Sequence, residues 1–145
     1  HKIVSNRTSQ YNFGFGNVKN LEQVIVELRY KDPSVDSLNC AKFKNGKFMI
    51  RGGANGSTLI ERKGSKQIEY NSGTKTKVEF DIFWLDECTF SLTFSKVLEN
   101  PENVDLPKKM IRTVEIIETT EDSYYQRVSS HLSKLILEYK VFIQE

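Results

Sequence analysis

The chain has 145 residues, 38% of them hydrophobic, which suffices for one domain with a real core and is cramped for two. Its 21 basic and 19 acidic residues leave a net charge of +2. The small basic clusters (Arg62, Lys63, Lys66; Lys75, Lys77; Lys108, Lys109) are broken by acidic residues or lie beside turn signals, so they read as a solvated sheet surface and not as the concentrated basic face that nucleic acid requires.

No stretch approaches the roughly 20 apolar residues of a transmembrane helix. The chain starts at His1 instead of methionine, which reads as an N-terminus processed or engineered away, together with any signal peptide or lipid-attachment cysteine. Residues 1–38 differ in texture from the rest and form an N-terminal arm with one short element. Its first half is polar, with Tyr11, Phe13 and Phe15 set among Asn and Gly, the composition of a flexible or extended segment and a candidate partner-binding arm. Val18, Leu21, Val24, Ile25 and Leu28 recur at helical spacing, whereas Val24, Val26, Leu28 and Tyr30 alternate, so a short helix and a strand both fit. The element ends at Lys31-Asp-Pro-Ser34, because proline restricts its predecessor and lacks an amide donor.

Residues 39–145 read as strands joined by turns. Phe43 to Ile50 is a candidate strand broken early by Asn45-Gly46, and Gly52, Gly53, Asn55 and Gly56 end it. That glycine-rich stretch lacks the Lys-Ser/Thr of a P-loop and the GxGxxG order of a dinucleotide site, so it reads as a loop. Thr58 to Glu61 and Gln67 to Tyr70 form a hairpin around Lys63-Gly64-Ser65, and Asn71-Ser-Gly-Thr74 marks the next turn. From Lys77 to Val97 large apolar and polar residues alternate. Val78, Phe80, Ile82 and Trp84 share one face, as do Cys88, Phe90, Leu92 and Phe94, which is the dyad period of half-buried antiparallel strands.

After a proline-bounded loop at Glu99–Pro107, Met110 to Glu118 and Leu135 to Ile143 alternate in the same way. Thr120 to Lys134 fits a strand and turn, or a helix capped by Thr119 or Thr120; Tyr124, Tyr125 and Val128 favour the strand. About eight sequential strands avoid open edges by curling. The expected fold is therefore all-β, an antiparallel meander closing into a lipocalin-like barrel or half-barrel, with a two-sheet sandwich as the alternative.

Two cysteines, Cys40 and Cys88, and two histidines are too few for a zinc site, and no cofactor motif is present. The cysteines fit either one disulfide closing a loop of about 48 residues, worth on the order of 4 kcal/mol, or two buried thiols in a cytosolic protein.

Asn39-Cys40-Ala-Lys-Phe43-Lys44-Asn-Gly46-Lys47-Phe48, followed by Trp84-Leu-Asp-Glu-Cys88-Thr-Phe90-Ser-Leu92, resembles a family of small secreted or lipid-anchored all-β proteins from Bacteroidetes. The resemblance covers residues 39–145, and its motifs are structural. It implies export to the periplasm, the outer-membrane surface or the medium, and with export a Cys40–Cys88 disulfide. Some members carry a topoisomerase IV label, for which this chain has neither the nucleotide motif nor the basic face.

No catalytic constellation emerges. Glu79 and Asp81 share a strand face roughly 7 Å apart, a separation that glycoside hydrolysis can use, but they lie opposite Phe80 and Ile82 on the face read as wet. His131 lies in a serine-rich turn without a nucleophile partner. Phe80, Ile82, Trp84, Phe90, Leu92 and Phe94 line either a ligand cavity or a packed core. Three functions from different classes are therefore carried forward. The first is a non-catalytic module binding another envelope or secreted protein through the arm; the second is a carrier of a small apolar ligand; the third is an unrecognised hydrolase.

Overall fold

A computed structural model describes residues 17–20, 38–52 and 56–144, with only the backbone described at 17–20. Among the described residues nine strands follow one another: β1 (Asn17–Asn20), β2 (Gly46–Ile50), β3 (Thr58–Lys63), β4 (Lys66–Asn71), β5 (Thr76–Asp86), β6 (Thr89–Glu99), β7 (Ile111–Thr119), β8 (Ser123–Ser130) and β9 (Ser133–Ile143). Strands β2 to β9 pair antiparallel in chain order, and β9 returns to β2, closing an eight-stranded up-and-down barrel. The expected lipocalin-like closure is thus the observed one, and closure gives each of these eight strands a neighbour on both sides over part of its length.

Local chemistry sets the turns. Gly64, at φ +60°, and Ser65 connect β3 to β4 with Lys63 opposite Lys66, a two-residue hairpin whose left-handed backbone glycine adopts without strain. At the next turn the Asn71 Oδ1 accepts from the amides of Gly73 and Thr74, both at 3.0 Å, which reverses the chain into β5. The region expected as strand or helix after Thr120 is a strand, β8, with a turn at His131–Leu132. One boundary differs from the sequence reading. Phe43 does not begin a strand but ends a 3-10 turn, Ala41–Phe43, and β2 starts only at Gly46. The turn carries Phe43 over the barrel end, where it is fully buried against Phe48 and Tyr124.

The long β5–β6 hairpin supplies the centre of the core. Val78, Phe80, Ile82, Phe90 and Leu92 are buried and pack with Phe48, Ile50, Ile60, Val114, Ile116 and Val141 from the surrounding strands. Both ends are covered. At one, the 3-10 turn is joined to the β5–β6 connection by the Cys40–Cys88 disulfide; at the other, the β6–β7 loop lays Leu106, with Val104 and Met110, against the core. The helix or strand expected over Val18–Tyr30 falls outside the described residues apart from β1.

Candidate functional site

Polar side chains cross the barrel interior. Alternation in β3, β4 and β7 turns Thr58, Arg62, Gln67, Glu69, Asn71 and Arg112 inward, and each is buried. The Arg62 Nε donates to Gln67 Oε1 at 2.8 Å, its Nη1 to the Phe43 carbonyl at 2.7 Å, and its Nη2 to the Tyr124 hydroxyl at 3.0 Å. Gln67 Nε2 then donates to Glu69 Oε2 at 2.7 Å, and that oxygen also accepts from Arg112 Nη2 at 2.8 Å. The guanidinium of Arg62 stands 4.8 Å from the ring centres of both Phe48 and Phe90, and that of Arg112 stands 4.5 Å from Phe80. Buried guanidinium groups are tolerable only with such donors satisfied and such aromatic faces alongside.

Among the described residues, no carboxylate lies within ion-pair distance of Arg62; its partners are an amide, a carbonyl and a phenol. Tyr139 borders the same network. Burial raises its phenol well above the ordinary tyrosine value, with Arg112 opposing and Glu69 adding to the rise. The network ties β3, β4, β7 and β8 to the 3-10 turn, and it occupies space that a ligand would need. The sequence reading assigned Arg62 to a solvated surface, and this is corrected. Sequence alternation groups residues by face, and here the face carrying Arg62 is the inner one.

The aromatic row of β5 and β6 lies in the core. Phe80, Ile82, Phe90 and Leu92 are at most 5% exposed, and Trp84 and Phe94 pack partly buried against them. The gap between Val78, Phe80, Phe94, Leu106, Pro107 and Met110 measures about 10 Å³, room for one water at most. On the other face of β5, Glu79 accepts from the Ser95 hydroxyl and pairs with Lys66, which also contacts Asp81. The two carboxylates therefore share one lysine on the outer surface, whose ammonium is favoured first by the hydrogen bond to Asp81. His131 Nδ1 accepts from the Ile111 amide at 3.3 Å, in an exposed turn. Among the described residues, no group of His, Cys, Asp and Glu side chains is placed to hold a metal. Tyr11, Phe13 and Phe15 fall outside the described residues.

A feature hidden from the sequence lies at the barrel seam. Strand β2 meets β9 through two residue pairs, Phe48 with Ile143 and Met49 with Phe142, and then diverges. The edge of β9 left open is filled by β1, whose Asn17, Val18, Lys19 and Asn20 pair with Glu138, Leu137, Ile136 and Leu135. Beside this seam Glu138 is buried and accepts from Arg127 Nε at 2.6 Å, on the side opposite the inward Leu137 and Tyr139. Across β2 to β4 on the outer surface runs an open groove of about 220 Å³, with Leu59, Ile68 and Tyr70 between Lys47, Glu61 and Lys77. A second unpaired edge, β5 beyond Ile82, carries exposed Phe83 and Leu85 but has an irregular register between Trp84 and Asp86, which disfavours strand addition.

The chain matches no family model, no curated protein and no solved structure.

Proposed function

We propose that this chain is a non-catalytic β-module that works outside the cytoplasm, binding another protein of an envelope or secreted assembly at the barrel seam. The observation that carries the reading is the β9 edge at Leu135–Glu138, which β2 does not reach and which takes up an added strand from the N-terminal arm. Strand addition of this kind gives affinity through main-chain hydrogen bonds and is a common way for β-proteins to recognise extended segments. The filled interior supports an external site. Arg62, Gln67, Glu69 and Arg112 bridge the barrel where a lipocalin would hold its ligand, and the gap beside Phe80 and Phe94 is too small for one. The Cys40–Cys88 disulfide supports an oxidising compartment, since such bonds persist poorly against cytosolic thiols.

Affinity capture from the native source tests this, comparing the full chain with one lacking residues 1–20, which retains all eight barrel strands. Truncation vacates the β9 edge, so partners recovered in greater amount by the truncated chain than by the full chain are the expected result. Equal recovery by both forms rejects the reading, and an apolar small molecule released on denaturation of the purified protein would replace it with the carrier.

A further inference from the structure

We propose that the outer face spanning β9, β2, β3 and β4 is a second docking surface, which takes a short acidic and apolar segment of a partner protein. It is separate from the β9 edge at Leu135–Glu138 and does not depend on a strand being added there. One line of register partners crosses this face. Phe142 pairs with Met49, Met49 with Leu59, Leu59 with Tyr70, and Tyr70 with Lys77. Residues directly opposite one another point to the same side, and the chain neighbours Phe48, Ile50, Ile60, Glu69 and Val141 are buried. Four apolar side chains therefore stand in a row on the outside, over roughly 14 Å at about 4.8 Å per strand step. Leu59 is 40% exposed and the other three are half-buried. A contiguous apolar row on the water side of a barrel marks a contact surface.

Charge selects the occupant. At the β9 end the Arg51 guanidinium stands 3.9 Å from the centre of the Phe142 ring, and the Lys140 Nζ stands 5.4 Å from it. Both cations are exposed, and among the described residues neither pairs with a carboxylate. Two like charges gathered on one ring concentrate positive potential there. A carboxylate placed beside Phe142 gains both cations, while its neighbours in the segment lay apolar side chains over Met49, Leu59 and Tyr70. Shape separates a peptide from other anions. The groove along the row, about 220 Å³, sets Leu59, Ile68 and Tyr70 between Lys47, Glu61 and Lys77. It admits a few side chains and is smaller than the roughly 300 Å³ at which small-molecule pockets begin. An anionic bilayer would press its headgroups onto Glu61 and Glu99, which face Lys47 and Lys77 at 3.7 and 3.8 Å and offset their charge.

The test holds the full chain on beads by an N-terminal tag and selects from a phage library of random linear peptides. Selected peptides should carry Asp or Glu beside Leu, Ile, Phe or Tyr. Synthetic copies should shift the backbone amide resonances of Met49, Leu59 and Tyr70 and leave those of Leu135–Glu138 in place. Arg51→Gln combined with Lys140→Gln should weaken binding about tenfold, and Leu59→Ser by a similar factor. The same loss of charge at the exposed Lys108 and Lys109 of the β6–β7 loop should leave binding unchanged. The resonance map needs no substitution, so it decides the matter even where a variant fails to fold. No selected peptide, peptides without acidic residues, resonance shifts confined to another face, or equal weakening by both charge-removing variants overturns the proposal. Sedimentation with vesicles of equal parts phosphatidylglycerol and phosphatidylcholine, unaffected by the acidic peptides, overturns it in favour of a lipid surface. Any of these failures leaves the capture result at the β9 edge unchanged, so the two readings fail separately.

Discussion

The Nη1 of Arg62, on a side chain only 1% exposed, donates to the carbonyl of Phe43 at 2.7 Å, fastening the 3-10 turn to the barrel it covers. The same guanidinium reaches Gln67 and Tyr124, so one side chain satisfies acceptors from three elements. Arg62→Ala should destabilise by about 4 kcal/mol, because it leaves a void and three buried acceptors short of a donor. Arg62→Met keeps the volume and removes a buried charge, and its loss should be about half as large. Urea unfolding followed by tryptophan fluorescence measures both; equal losses would mean that packing contributes little beyond the hydrogen bonds.

Glu69 and Arg112 form an ion pair in which both side chains are at most 5% exposed. Breaking such a pair from one side strands the other charge, so Glu69→Gln and Arg112→Met should each cost about 3 kcal/mol. The double variant should cost less than the sum of the two by at least about 1 kcal/mol. Additive losses in the double-mutant cycle would show that each group is stabilised mainly by its other surroundings.

The Cys40–Cys88 link closes a loop with a sequence separation of 48, which in the chain-entropy treatment contributes about 4 kcal/mol. Replacing both cysteines with alanine, or adding reductant, should lower Tm by well over 10 °C, since 1 kcal/mol moves a domain of this size by about 3 °C or more. Intact mass after alkylation without reductant should show no modified thiol. Two alkylated cysteines in that measurement would refute the bond.

Tyr139 supplies a pH prediction. Burial raises its folded-state pKa, while the unfolded phenol titrates near pH 10. Above that pH the unfolded state loses a proton that the folded state keeps, so stability falls as pH rises, by up to about 1.4 kcal/mol per unit. Stability from this group is complete below about pH 10. Tyr139→Phe should therefore flatten the decline between about pH 10 and 11 relative to the parent. Parallel curves for the two proteins would show that the phenol ionises within the folded barrel.

Strand content was legible from the chain because a strand's side chains alternate every residue, and the rows at Val78–Trp84, Phe90–Phe94, Met110–Glu118 and Leu135–Ile143 all became strands. The 3-10 turn was missed because Phe43 and the run from Phe48 to Ile50 read as one apolar segment, although Phe43 is out of phase with Phe48 and Ile50 and its ring enters the core from the turn over the barrel end. The interior network was missed for a related reason. In β4 the polar Gln67, Glu69 and Asn71 face inward and Ile68 and Tyr70 lie only half-buried, the reverse of the usual assignment.

Composition and alternation by themselves determined that this protein is a single antiparallel all-β meander, since local side-chain periodicity is a property of neighbouring residues. Which face became the inside, that β9 would meet β2 by only two residue pairs, and that the arm's Asn17–Asn20 would fill the remaining edge were decided by closure. Closure couples residues more than 90 positions apart, such as Met49 and Phe142, and no local pattern carries the register of such a pairing.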